Sequence, residues 1–194
     1  AAYPDVKFVR ERDFKSQLLS VIGAYPFTLF LVDDNLFVRP FSIGEIADAL
    51  QKHPDTLGYS LRLGRNTRYC YSMNMAQSLP PFQVIGGVHL KFDWTVSQCE
   101  FGYPLEISSS LYRTGDLFRF LAASPFANPN TLELQLATHA ALFAAKRYLF
   151  CRDASLTFCN PVNKVQQLFP NRSGTRADYS ALALSRLFDE GYRI

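Results

Sequence analysis

The chain of 194 residues holds no run of 18 or more apolar residues, so no stretch of it reads as a membrane-spanning helix. Its first residues lack the charged, apolar and small-residue succession of a signal peptide. The four cysteines, Cys70, Cys99, Cys151 and Cys159, form no C-x-x-C pair and have no metal-spaced histidine nearby, which argues against zinc. No basic block interleaved with aromatics occurs and the net charge is only +3, so a dedicated nucleic-acid binder is not expected. Internal repeats and low-complexity tracts are also missing.

What is present suits one large core. With 48% hydrophobic and 14% aromatic residues, residues 1–194 are expected to form a single globular unit. So apolar a chain does not need disulfides, and buried free thiols point to a reducing, cytoplasmic setting, with peripheral attachment to a membrane left open.

The stretch Phe27-Thr-Leu-Phe-Leu-Val-Asp-Asp-Asn-Leu-Phe37 organises the reading. An unbroken apolar run predicts a central strand buried on both faces, and it stops at two adjacent acids. Ligand crevices of open α/β sheets lie outside the carboxyl ends of the strands, so Asp33, Asp34 and Asn35 would face such a crevice. Three oxygen-bearing side chains suit Mg²⁺ or Mn²⁺ together with a diphosphate, and they equally suit an Asx-type turn.

Around this run, residues 6–9 read as a strand and Asp13 as the cap of a helix ended by Gly23, which makes residues 6–32 a β-α-β unit. Ser42 and Glu45 form a capping box for a second helix. Residues 57–63 and 88–92 alternate as half-buried strands. The loop 64–68 carries two arginines, an anion site or a solvated turn, and residues 69–87 look irregular. Asp93 precedes Trp94, the single tryptophan, which either stacks on a ligand or fills the core. Residues 102–113, with Glu106, read as a strand entering a polar turn, and Asp116 as the start of a short helix. The longest helix is expected from Asn128 to about Tyr148, with His139 as a packing residue inside it. Glu133 lies three residues after Asn130, where it is either half of a capping-box variant or a carboxylate facing a cleft as a base. A strand at 155–159, a polar turn through Asn163 and a last helix at 178–189 ended by Gly191 complete an α/β chain with a mixed sheet.

Taken together, Leu29-Phe-Leu-Val-Asp-Asp-Asn-Leu-Phe37, Tyr59-Ser-Leu-Arg-Leu-Gly64, Phe101-Gly-Tyr-Pro104, Leu111-Tyr-Arg113, Asn128-Pro-Asn-Thr-Leu-Glu133 and Pro161-Val-Asn-Lys-Val-Gln166 resemble nucleotide-sugar glycosyltransferases of the GT-A fold, inverting family 2 type. The resemblance implies a Rossmann-like, mixed but mainly parallel central sheet flanked by helices, without the N-terminal nucleotide-binding portion. It implies a nucleotide-sugar donor, a carbohydrate or other hydroxyl acceptor, and Mn²⁺ or Mg²⁺ at Asp33, Asp34 and Asn35, of which Asp33 and Asp34 would hold the donor diphosphate. Asn35 stands where the family's D-x-D signature has Asp. Glu133 would be the catalytic base, although the family's Glu-Asp pair is lacking, and Asp93, Trp94, Glu106 and Asn163 would line the substrate side. The alternative class is a catalytically silent relative that binds a carbohydrate or a protein. A nucleotidyltransferase ranks last, for want of a glycine-rich phosphate loop.

Overall fold

The computed structural model describes residues 6–159 and 181–192. Helix α1 (Phe14–Ile22) begins where Asp13 accepts from the Ser16 N–H at 2.7 Å and ends at Gly23. Strand β1 (Phe27–Leu29), strand β2 (Asn35–Phe37) and helix α2 (Ile43–Lys52) follow, the helix capped by Ser42 accepting from the Glu45 N–H at 3.3 Å. Next come β3 (Thr56–Ser60), β4 (Tyr69–Cys70), β5 (Met75–Ala76), β6 (Gln83–Ile85) and β7 (His89–Asp93). Two 3-10 turns, Trp94–Val96 and Cys99–Gly102, lead to β8 (Ser110–Arg113), α3 (Thr114–Ala123) and α4 (Pro129–Thr138). After a third 3-10 turn, Ala140–Phe143, the chain forms β9 (Tyr148–Cys151), β10 (Thr157–Cys159) and α5 (Ala181–Asp189).

The main sheet has the order β1-β8-β3-β9-β7-β6. Only β3 and β9 are parallel neighbours, and every other pair is antiparallel. The expected mainly parallel sheet is thus corrected to a mixed, mainly antiparallel one. The cause is β8, which runs back between β1 and β3, and β7, which runs back beside β9. Residues 6–10 form no strand, so the expected β-α-β unit is not made.

Strand β1 is also not central. It sits at the sheet edge, only Phe27 to Leu29 pair with β8, and Leu31 is 47% exposed. The apolar run leaves the sheet midway, and β2 pairs with β10 in a separate two-stranded ladder. The true centre is β3, whose five residues are all buried, beside β9, whose first residue, Tyr148, is where the long helix was expected to end. Helix α2 covers one face through Ile46, Ala49 and Leu50 against Tyr59, Leu111 and Phe150. The other face packs Leu57, Tyr112, Leu149 and Phe92 against residues of α1, α3 and α4.

Arg113 ties the layers together, its guanidinium donating to the carbonyls of Leu50, His53 and Thr56 at 2.7–2.9 Å and so capping the end of α2. His139 ends α4 rather than lying within it, its Nδ1 2.9 Å from the Gln135 carbonyl and its ring against Phe120. After α5, Gly191 takes the left-handed φ of 94° and donates to the Phe188 carbonyl at 3.0 Å. No helix among the described residues is long and apolar enough to cross a membrane.

Gly58 in β3 lies under the Tyr112 ring, and a Cβ there would stand 2.6 Å from the ring edge. The Leu111 carbonyl oxygen of β8 would also lie 3.1 Å from that Cβ. Gly58→Ala is therefore expected to cost about 1–3 kcal/mol in urea unfolding, the usual penalty of overpacking a tight core.

Candidate functional site

Both β1 and β3 run antiparallel to β8, so their carboxyl ends emerge together beside the amino end of β8. Phe30 donates to the Ser110 carbonyl at 3.4 Å and Leu61 to the Ser109 carbonyl at 2.9 Å. The polar turn that opens β8 wraps a carboxylate. Glu106, 3% exposed, accepts from the backbone N–H groups of Ser108 at 2.5 Å and Ser109 at 2.9 Å, and from the hydroxyls of Ser108 and Ser110. Tyr112 fixes the preceding backbone, its hydroxyl lying 2.8 Å from the Glu106 carbonyl and 3.0 Å from that of Pro104. The sequence had this segment as a strand entering a turn. The order is the reverse, turn first and strand second.

Arg62, just past β3, is pressed against two carboxylates. Its Nη1 contacts Glu100 directly and its Nε lies 3.8 Å from Glu106 Oε1. Burial opposes its charge, yet Glu106 and Glu100 outweigh that and raise its pKa further. Glu100 is itself anchored by Cys70 Sγ at 3.2 Å and Ser72 Oγ at 3.4 Å, and its backbone N–H donates to Gln77 Oε1 at 3.0 Å.

Helix α4 brings in Glu133. The capping box here joins Asn128 and Thr131, with the Thr131 N–H donating to Asn128 Oδ1 at 2.9 Å. Asn130 is not the cap, so the capping role offered for Glu133 is corrected. Leu132 and Leu136 bury the helix against the core, and Glu133, half-buried, has the Tyr103 hydroxyl and the Ile107 backbone among the groups that act on its carboxyl. Burial, seconded by the charge of Glu106, pushes the Glu133 carboxyl above its ordinary range, while Tyr103, Arg62 and Ile107 pull it partly back. Burial raises Tyr103 as well, with Glu133 adding to it.

The acid turn lies at the same end. Asn35 closes it, donating its N–H to the Val32 carbonyl at 3.1 Å and accepting the Val32 N–H on Oδ1 at 2.9 Å, while its buried Nδ2 has no partner among the described residues. Burial raises Asp34, and Asp33 beside it raises it further. Cys159, paired with Asn35 across the β2–β10 ladder, is pushed up to about 11 by burial and then by the charges of Asp34, Glu106 and Glu133. Asp34, Cys159, Glu106, Glu133 and Arg62 therefore share one electrostatic environment.

Among the described residues no group of three or more His, Cys, Asp or Glu side chains is placed to hold a metal ion. Asp33 and Asp34 still fit a hard cation, because such an ion needs only one or two protein carboxylates when phosphate oxygens and water fill its other positions. The mutual repulsion that raises Asp34 is what a cation there would relieve. Asn35 is engaged in closing the turn through its Oδ1.

Asp93 and Trp94 do not join this site. Strand β7 ends beside Tyr148, the first residue of β9, which lies next to Thr56 at the start of β3, so both residues sit at the opposite end of the sheet. Asp93 caps the 94–96 turn, accepting from the Thr95 N–H at 3.0 Å, and pairs with Arg147 Nε at 2.8 Å. Burial opposes its ionisation, but Thr95 and Arg147 outweigh that and hold it low. Trp94 is buried, with its indole N–H donating to the Lys146 carbonyl at 2.8 Å. Asn163 lies outside the described residues. Arg62, Glu100, Tyr103 and Cys159 were not among the residues singled out from the sequence. Arg62 takes a polar position in the alternation of residues 57–63, so the pattern does not set it apart.

These contacts separate cap from acid by stability. Asn128→Ala is expected to cost about 1 kcal/mol through the lost cap. Glu133→Gln should not destabilise at neutral pH. A carboxyl whose folded pKa is raised contributes its stability below its unfolded value of about 4.3 and loses it as pH climbs through the folded one, a loss that the amide escapes. Melting curves against pH should show the variant gaining on the wild type from about pH 4 upward.

No protein-family model matches the sequence. The chain is similar to a bifunctional glycosyltransferase, pgtA, of Dictyostelium discoideum, at 27% identity over 127 residues. The match covers 60% of this chain and 16% of the relative, so the chain spans only a small part of that protein's length.

Proposed function

We propose that this chain carries the acceptor-side machinery of a metal-dependent glycosyltransferase, with Glu133 as general base and with Asp33 and Asp34 holding the cation. The observation that carries the reading is the place of Glu133. It stands clear of the helix cap, half-buried, with a raised pKa, at the end of the sheet where the acid turn also emerges. A base works best when its pKa lies near the working pH, and burial moves a carboxyl in that direction. The partial similarity to a glycosyltransferase supports the reaction class.

In this reading Glu133 takes the proton of an acceptor hydroxyl as that oxygen bonds to the anomeric carbon of the donor sugar, and the bond from that carbon to the diphosphate breaks. The Tyr103 hydroxyl and the Ile107 backbone favour the ionised form of Glu133. A divalent cation at Asp33 and Asp34, when bound, supplies positive charge for the leaving diphosphate. The donor is a nucleotide sugar and the acceptor a carbohydrate or another hydroxyl compound.

Turnover of a panel of nucleotide sugars by the full-length protein with Mn²⁺ tests the base. Glu133→Gln is expected to lose at least about a hundredfold in kcat, since general-base catalysis contributes ~10²–10⁴-fold, with melting unchanged or raised. Near-normal turnover in the variant would reject Glu133 and move the search to Glu106 and Glu100, the other acids around Arg62. No turnover of any donor by the wild type would favour a binding module instead.

Calorimetry tests the cation separately. Mn²⁺ should give strong heats only with uridine diphosphate present, because two carboxylates alone leave a hard ion mostly hydrated. Asp34→Asn should abolish them, and equal weak heats with and without the nucleotide would refute a donor site here.

A further inference from the structure

We propose that the cavity between the end of β9 and the β6–β7 turn is a second ligand site, which takes the phosphate group of a small phosphate monoester between Arg39 and Arg152. The cavity measures about 460 Å³, and its lining includes both arginines, Gly87, Val88, Asp153 and Leu156. That volume exceeds a bare phosphate and falls in the usual range of small-molecule sites. Its place separates it from the acid turn. Asn35 pairs with Cys159 at one end of the β2–β10 ladder, whereas Val38 donates to the Leu156 carbonyl at 2.9 Å beyond the other end, where Arg39 follows.

Both guanidiniums are held in place, and neither is fully answered. Arg39 donates from Nη1 to the Ser155 carbonyl at 2.6 Å, and no carboxylate pairs with it among the described residues. Arg152, only 16% exposed, donates from Nη2 to Glu45 Oε2 at 2.9 Å, and its buried Nε has no partner among the described residues. Glu45 is itself 43% exposed, so water screens part of its charge. The buried His89 beside Val88 lies with Nε2 3.8 Å from Glu45 and Nδ1 2.9 Å from the Tyr59 hydroxyl. Burial and then Arg152 hold its pKa down, so at neutral pH it adds no charge. Asp153 does not cancel the arginines, because Arg65 Nε lies 2.9 Å from its Oδ1.

The ligand chemistry follows from this arrangement. Two guanidinium forks reach the cavity from separate segments, after β2 and after β9, and a tetrahedral phosphate offers oxygens to both, where a planar carboxylate matches one fork at a time. Gly86 and Gly87 turn the β6–β7 hairpin at φ 59° and 74°, which glycine adopts freely, so no side chain closes that rim. Pro40, Val88 and Leu156 leave apolar wall for the body of the ester.

The test is calorimetry of the full chain with inorganic phosphate, phenyl phosphate and acetate, at fixed ionic strength and with a chelator present so that no cation at the acid turn contributes. Inorganic phosphate should bind saturably and more tightly than acetate, and phenyl phosphate more tightly still. Arg39→Gln should weaken phosphate binding about tenfold or more, the usual loss of a hydrogen bond to a charged group. Because Arg39 is exposed, that variant should melt as the wild type does. Arg152→Gln should weaken binding similarly, but it frees Glu45 and can disturb the fold, so Arg39→Gln decides. In NMR spectra the Gly87 amide should shift with the midpoint of the heats. Phosphate heats that survive Arg39→Gln, acetate binding as tightly as phosphate, or a Gly87 amide unmoved at saturation would overturn the proposal, as would a folded wild type that binds no phosphate. Phenyl phosphate binding more weakly than inorganic phosphate would reject the ester.

Discussion

The site depends on a buried carboxylate that is fully answered. Glu106 is almost wholly out of water, and a charge in that position is tolerated only when hydrogen bonds and a counter-charge surround it. The run Ser108-Ser109-Ser110 supplies N–H and hydroxyl donors in three consecutive residues, and Arg62 supplies the charge. Removing one partner from such an arrangement typically costs about 3–5 kcal/mol. That is a large share of the ~5–15 kcal/mol by which a domain is stable. The turn, the arginine and the direction of β8 are therefore one constraint.

Strand direction decides what can meet what. Although the sheet is mainly antiparallel, β1, β3 and β9 all point the same way, because β8 and β7 are the strands that return. Their carboxyl ends share one edge of the sheet, which is where open α/β folds bind ligands. Everything at the end of β7 is carried to the other edge. Asp93 there pairs with Arg147, and near the same edge Asp116 pairs with Arg113 and Lys146 and Asp55 with Lys91.

The features legible in the sequence were those fixed within a few residues. Asp13 and Ser42 cap their helices because an N-cap needs only its own third neighbour, and Gly191 ends a helix for an equally local reason. Strand β9 was missed because Tyr148 to Cys151 is a short apolar run, and periodicity cannot tell such a run from the end of a helix. The run before Asp33 was recognised as sheet-forming but misplaced, since apolarity signals burial and not which neighbours provide it. Glu133 was found and its two roles left open, because the choice between Asn128 and Asn130 as cap turns on backbone dihedrals. Arg62, Glu100 and Tyr103 escape a local reading because their partners lie far away in the chain, 38 positions for Arg62 and Glu100.

Charge limits what this end of the sheet can accommodate. Among the described residues Glu100, Glu106 and Glu133 are met by a single guanidinium, and Asp33 and Asp34 add to the negative charge nearby. A bare diphosphate brought into that field would be repelled, whereas a neutral hydroxyl would not. On the glycosyltransferase reading this divides the site by charge. The region beside Glu133 and Tyr103 suits the uncharged acceptor, and the anionic donor can approach only where a cation first neutralises the acid turn. The negative charges that add to the effect of burial in raising Glu133 and Cys159 would then also make donor binding conditional on the metal.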